Sequence, residues 1–349
     1  WTIRIHHVGG IGEAGPLGIL SKLGNVSWTV YEAVEENADS SAGMYPEYNV
    51  VRKAVGEWDG QATFYETIAS SASSLLKTAP SAKDYAVEIN QHRLQVWGQH
   101  TEVRKTHQLK VRSLDSLVAS GEAPPVDFLS IDAQGAELDI MRGAAQQIRN
   151  TVVGLVIEAE FVPLYDGQPL FCDTMSYLWK EGFRLCDMLN VQYFHAYPYS
   201  PEVLGDGFMT VAEVVYLKDD FRSLDSTAAL KLAAVSAALG RIDYAVRICE
   251  VLQNLDFRLR EVAEETGVRY LQFLYELCAA ARLVNAESPP SVEVNGGVGP
   301  QPAPTPVSSP RLPDLVSGVL IKFGFVDLAN AHMRRVMIVR NDRVVGWRL

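Results

Sequence analysis

Nothing in the 349 residues approaches the ~20 consecutive apolar positions that span a bilayer, so no segment reads as transmembrane. Cysteine is scarce. Cys172, Cys186, Cys249 and Cys278 include no Cys-x-x-Cys pair and have no close histidine partner, which excludes a spacing-defined zinc site and a disulfide framework. Free thiols in a reducing cytoplasmic setting are expected. A surplus of positive charge is also missing: 31 Lys and Arg against 42 Asp and Glu leave a formal charge of −11. A general nucleic-acid binder needs the opposite balance to neutralise phosphates. The chain opens on Trp1, and no charged-then-apolar leader precedes the first apolar run. The numbering is therefore expected to start inside a longer gene product.

What is present is an ordinary globular composition, 48% hydrophobic and 21% charged, in a chain long enough for two or more domains. Residues 1–222 alternate short β-type runs with helical stretches. The runs are 2–8, 26–32, 48–55, 62–68, 126–131, 152–157, 191–195 and 211–218, with helices expected near 17–23, over 135–148 and near 174–181. Tyr48–Val55 and Ala62–Ile68 read as a pair. Apolar runs separated by helices imply a parallel sheet covered on both faces. The expected fold is α/β, a doubly wound Rossmann-like sheet with ligands at the carboxyl ends of its strands, followed by a C-terminal helical appendage.

Residues 223–285 read as a helical module. Ser226 suits the cap of a helix ending before Gly240, and further helices fit 242–252 and 260–283. The step Leu239–Ala245 has a tetratricopeptide flavour but no second copy. Residues 286–313 hold eight of the 17 prolines and read as a Pro/Gly-rich linker. Residues 314–349 read as a small helix-hairpin tail whose arginines fit a solvated face. A protein partner or a second copy of the chain would engage through 223–349.

Chemistry concentrates in two places. His7-Val8-Gly9-Gly10-Ile11-Gly12 follows the first strand, where glycines let a cofactor approach the backbone and a helix N-terminus offers free N–H groups. Glu32 ends the second strand, where a carboxylate can accept hydrogen bonds from both ribose hydroxyls. Gly10, Gly12 and Gly15 also satisfy a dinucleotide spacing, so NAD and S-adenosylmethionine both fit this turn. The second place is 126–144, Val-Asp-Phe-Leu-Ser-Ile-Asp-Ala-Gln-Gly-Ala-Glu-Leu-Asp-Ile-Met-Arg-Gly-Ala. Asp132 ends an apolar strand, which delivers its carboxylate to the ligand edge of the sheet.

This second segment resembles the FkbM family of S-adenosylmethionine-dependent methyltransferases, whose pattern is Asp-x-Gln-Gly-Ala-Glu followed by an apolar turn and Arg/Lys-Gly-Ala. Thr63-Phe64-Tyr65, Ser73-Ser74-Leu75-Leu76, Ser113-Leu114-Asp115 and Glu158–Phe171 agree in order, and the resemblance covers about residues 3–218. Two positions depart from it: His7, where many members carry an acid, and Ser130, where members often carry Lys or Asn. The resemblance implies O-methylation of a hydroxyl on a sugar, glycan or secondary metabolite. It places His7, Gly9, Gly10, Gly12 and Glu32 on the cofactor, with Ala54 and Val55 flanking the adenine from the end of the third strand. Asp132, Gln134 and Glu158 are the catalytic candidates, because methyl transfer needs an aligned hydroxyl and a base for its proton. Glu160, Tyr165 and His195 are the acceptor-binding candidates. The paired carboxylates have the chemistry of a hard divalent metal, but no histidine joins them by spacing, and no metal is assigned.

Plainer readings exist for several of these residues. Gln134-Gly135 can be only a tight turn, Glu137 a helix N-terminal acid, and Asp115 the cap of a helix at 116–119. His92, His100 and His107 read as surface residues. An NAD-dependent oxidoreductase on the same glycine turn and a non-catalytic protein with a degenerate methyltransferase fold are the rival functions.

Overall fold

The computed structural model describes residues 2–9, 20, 26–34, 48–90, 93–196 and 206–255. Contacts divide the chain into one unit of Trp1–Gly18 with Val26–Leu232 and another of Ile19–Asn25 with Ala233–Leu349.

Twelve strands of the described residues are numbered in chain order: β1 (Ile3–Val8), β2 (Val26–Tyr31), β3 (Tyr48–Val51), β4 (Ala54–Val55), β5 (Gly60–Thr67), β6 (Ala86–Asn90), β7 (Arg93–Val96), β8 (Val103–Arg112), β9 (Phe128–Ile131), β10 (Gly154–Glu160), β11 (Phe183–His195) and β12 (Phe208–Lys218). Nine form one sheet in the order β3-β2-β1-β9-β10-β12-β11-β6-β7. The first five are parallel, as the apolar runs predict. All four residues of β9 are buried, which fits a central strand covered on both sides. The parallel arrangement ends at β10: β12 runs antiparallel to it, and β11 and β6 continue antiparallel. β11 and β12 follow one another with no helix between them among the described residues, a connection that joins antiparallel neighbours.

The chain steps outward from β1 to β3 and then returns to β9 on the other side of β1. That reversal puts a crevice outside the carboxyl ends of β1 and β9, where doubly wound sheets bind ligands. The N–H of Asp132 donates to the carbonyl of Val8 at 2.8 Å and closes the two strand ends together.

Ala54 and Val55 are not the end of the third strand. β3 stops at Val51, where the Lys53 N–H folds back onto the Val51 carbonyl at 2.9 Å. β4 then joins a separate three-stranded sheet, β4-β8-β5, so the expected pairing of 48–55 with 62–68 does not form.

Alternate residues Leu129, Ile131, Leu155 and Ile157 share one core with Leu114, Leu117, Leu138, Met141, Ile148 and Leu178 from four helices. Each such side chain contributes about 1.5–3 kcal/mol on burial. The helix expected over 135–148 is two, Glu137–Gly143 and Ala145–Asn150. Gly143 packs against another backbone at the break: a Cβ there would stand 2.0 Å from the Gly56 carbonyl oxygen. Ser113 caps the helix Leu114–Ala119. Asp115, expected to cap that helix, instead accepts the N–H groups of Gln146 and Gln147 at 2.8 and 3.1 Å, fastening the start of the next one.

A second core holds Ala72, Ala79, Ala82, Trp97, Leu164, Tyr165, Phe194 and Val211. Backbone bonds from Ala79 to Leu164 and from Asp166 to Lys77 tie residues 72–82 to the loop after β10.

Helices Ser226–Ala238 and Ile242–Leu255 flank Gly240, whose φ of +78° suits a helix stop. Asp225, rather than Ser226, accepts an N–H of the first of these helices, that of Ala228 at 2.8 Å. The expected helix at 260–283, the linker 286–313 and the tail 314–349 lie outside the described residues, as do Gly10, Gly12, Gly15, His92 and most of 17–23. No helix among the described residues is long and apolar enough to cross a membrane.

Candidate active site

The strand end at Ile131 leads into a turn that the sequence makes expensive and its surroundings make affordable. Gln134 has φ +55° and Gly135 φ +95°, two successive left-handed residues. For a residue with a side chain this conformation costs on the order of 1 kcal/mol. Ser74 offsets it by donating its hydroxyl to the Gln134 carbonyl at 2.7 Å. Glu137 braces the turn from the other side, accepting the N–H groups of Ala133 at 2.8 Å and Gly135 at 3.2 Å through one oxygen. Gly9, with φ +141°, abuts the same turn, since a Cβ there would lie 2.1 Å from the Asp132 carbonyl oxygen.

So held, the Gln134 side chain links two carboxylates. Its Nε2 donates to Asp132 Oδ1 at 2.9 Å and to Glu158 Oε2. The Tyr165 hydroxyl donates to Gln134 Oε1 at 2.7 Å, with the Ala72 carbonyl at 3.1 Å as a second acceptor. With the tyrosine proton on the nearer acceptor, the amide oxygen, Nε2 faces the two carboxylates. Both Nε2 protons are then spent on the carboxylates. Gln134 therefore joins and positions Asp132 and Glu158, and Tyr165, 1% exposed, orients Gln134.

Burial raises the carboxyl of Glu158 well above the usual range, and Asp132 beside it pushes in the same direction. Glu160 moves the same way, by burial first and then by the charge of Glu137. Glu137 is pushed up to about 7 by burial, against the backbone N–H groups it accepts. Among the described residues, no ion pair reaches any of these four acids. Acids displaced in this way in a crevice mark a candidate catalytic site.

The other expected residues fall into two groups. Glu32 follows β2 and accepts the Val34 N–H at 2.9 Å through Oε1. Burial pushes its carboxyl up, opposed by the Val34 and Ala33 N–H groups. His195 ends β11 half-buried, beside Gly207. Glu160, at the end of β10, is 2% exposed. By contrast, Ala54 and Val55 are buried members of the three-stranded sheet, with Val55 in one core with Val8, Tyr31 and Val51. His7 is buried inside the main sheet, its Nδ1 2.9 Å from Ser130 Oγ in the adjoining register position. The two positions that depart from the family pattern thus bond each other. His107 pairs with Glu66 at 2.6 Å, and His100 stacks on Trp97.

Sequence reasoning gave no role to Ser74 or Gln168 and only a terminal-acid role to Glu137. The Ser-Ser-Leu-Leu stretch and the Gly-Gln-Pro segment were the available signals, but Ser74's partner Gln134 lies 60 residues away in the chain.

The family model described as a methyltransferase FkbM domain matches residues 13–185. No curated protein matches the chain. Among solved structures, methyltransferase FkbM from Methylobacillus flagellatus KT is 15% identical at a TM-score of 0.33, over 62% of this chain and 43% of that one. MtNAS in complex with MTA and tNA is 12% identical at a TM-score of 0.25, over 62% and 53%. The chain spans about half the length of the solved proteins it matches.

Proposed function

We propose, from the match of residues 13–185 to the methyltransferase FkbM domain, that the chain transfers a methyl group from S-adenosylmethionine to a hydroxyl of a sugar, glycan or secondary metabolite. The observation that carries the reading is the Asp132–Gln134–Glu158 bridge at the carboxyl ends of β9 and β10, next to Gly9. The residues present fit the cofactor: Glu32, a carboxylate following β2, would accept hydrogen bonds from a ribose diol. Gly9, with Gly10 and Gly12 after it, would hold the methionine end. The adenine flank is better sought at the end of β3, near Val51, than at Ala54 and Val55.

When bound, the cofactor supplies a methyl group on a sulfonium sulfur. The chain's own residues align the acceptor and take its proton. Asp132 accepts the hydroxyl proton as the acceptor oxygen attacks, the work of a positioned base. Burial disfavours a bare charge on Glu158, and neutralising that charge limits the repulsion beside Asp132. Gln134 fixes the distance between the two acids, and Tyr165 fixes Gln134. His195 stands at the same edge for the acceptor, while Glu160 acts from within the protein.

The test is methyl transfer from labelled S-adenosylmethionine to a panel of glycans and hydroxylated metabolites by the full chain. Label appearing in ether-linked product supports the reading. Label appearing only on nitrogen acceptors contradicts the hydroxyl assignment.

A further inference from the structure

Glu137, Glu158 and Glu160 each offer one carboxylate oxygen, and these oxygens all lie within 4.8 Å of one another. A triangle of at most that size has its centre no more than about 2.8 Å from each corner, close to the roughly 2.0–2.6 Å at which hard cations take oxygen ligands. Two of the three residues, Glu137 and Glu160, are only 2% exposed. An ion or a proton suits such a place, and a sugar ring does not.

Each glutamate also has a donor behind it. Glu137 Oε1 takes the Ala133 and Gly135 N–H groups, and Glu158 Oε2 takes the Gln134 amide. Behind Glu160 stands Gln168. Its Oε1 accepts the N–H groups of Leu164, at 2.7 Å, and Tyr165, which turns Nε2 toward Glu160 and favours that acid's charged form. Gln168 is 9% exposed, and its Nε2 is buried without a hydrogen bond inside 3.5 Å. A buried amide donor left short of its acceptor is an independent sign of a site that completes on binding. Once an ion draws one oxygen of Glu160, the other is free to take the Gln168 N–H. Donors behind metal-ligating carboxylates orient them in this way.

With Asp132, four acids gather here, and no described Lys, Arg or His pairs with them. Buried carboxylates in that state are neutralised by protons or by a bound cation. An all-oxygen donor set selects hard ions. We propose that Glu137, Glu158 and Glu160 bind one hard divalent cation of the Ca²⁺ or Mg²⁺ class at the carboxyl ends of β9 and β10. The ion takes up the glutamate charge and leaves Asp132 as the carboxylate that faces the acceptor. Sequence spacing had pointed away from a metal, because it looked for a histidine that an all-carboxylate site does not use.

The experiment is calorimetric titration of the chelator-stripped full chain with CaCl₂ and, separately, MnCl₂ at neutral pH, with melting temperature followed in parallel. Wild type is expected to bind a single equivalent and to melt higher with the ion. Glu160→Gln and Gln168→Leu should each weaken binding by about 10–100-fold. Absence of both heat and melting shift in folded wild type overturns the proposal and leaves protons as the neutralising charge. Equal affinity in wild type and a folded Glu160→Gln variant also overturns it, because the ion then sits elsewhere. If Glu160→Gln does not fold, Gln168→Leu, which removes no ligand, decides by the same comparison. S-adenosylhomocysteine affinity measured on the same samples reports separately on the methyltransferase reading.

Discussion

The two ends of β9 treat buried acids in opposite ways. At the amino end, Asp127 receives the Arg4 guanidinium through two bonds of 2.8 Å and the Lys231 ammonium at 2.8 and 2.9 Å. At the carboxyl end, Asp132 and Glu158 share one neutral amide, and among the described residues no cation pairs with them. Burial alone raises Asp127 too, but the bonds from Arg4 and Lys231 outweigh it and the net direction is down. Glu158 has no such compensation and stays well above its ordinary range. A four-residue strand thus separates an acid spent on holding the fold from acids left available for a ligand. Burial alone does not set the direction: Asp127 is the less exposed by surface area yet moves down, because its partners carry the opposite charge.

Breaking each end should therefore give a different kind of loss. The largest expected effect is on rate. Asp132→Asn should lower turnover by about 10²–10⁴-fold while the melting temperature and S-adenosylhomocysteine affinity change little. Steady-state kinetics beside calorimetry checks this, and near-normal turnover would remove Asp132 from the catalytic residues.

At the other end the loss should be of stability. Asp127→Ala leaves Arg4 and Lys231 facing each other and should cost about 3–5 kcal/mol in denaturant unfolding. A chain ending at residue 222 lacks Lys231 and should melt below one ending after Leu239, which keeps it. The sign of the acid dependence follows from the downward shift. Asp127 contributes fully above its unfolded value of about 3.9 and loses that contribution as pH falls through its lower folded value. Asp127→Asn should flatten that part of the stability curve. An unchanged acid limb would mean that the cluster does not hold the fold.

Smaller effects sharpen the contrast. Glu32→Ala should weaken S-adenosylhomocysteine binding by about 1.5–3 kcal/mol, and unchanged affinity in a folded variant would take Glu32 off the ribose. Tyr165→Phe removes the donor that orients Gln134 and should cost about 0.5–1.5 kcal/mol of stability. If Tyr165 instead touches the acceptor, this variant will raise KM without altering the melting temperature.

Much of this was legible in the chain because it is local. Asp132 could be placed from the apolar run before it, and Glu32 from the end of its strand. The turn at Gln134-Gly135 could be read from its glycine. What could not be read depends on distant partners. Gln134 read as a catalytic candidate, and its partners are distant: Tyr165, 31 residues on, bonds its side chain and Ser74, 60 residues back, its carbonyl. Asp127 drew no reading from the sequence, since its partner Lys231 is 104 residues away. Ala54 and Val55 were misplaced for the opposite reason. A single tight turn at Arg52 ends one strand and sends the chain to another sheet, and continuous β-type composition hides such a break.

The account's central claim is that the crevice at the carboxyl ends of β1, β2 and β9 takes S-adenosylmethionine. Parallel calorimetric titrations of S-adenosylhomocysteine and NAD into the full chain test it most directly. The account predicts saturable binding of S-adenosylhomocysteine, weakened in Glu32→Ala, and no binding of NAD. Saturable NAD binding, or no binding of either ligand by the folded protein, would contradict it.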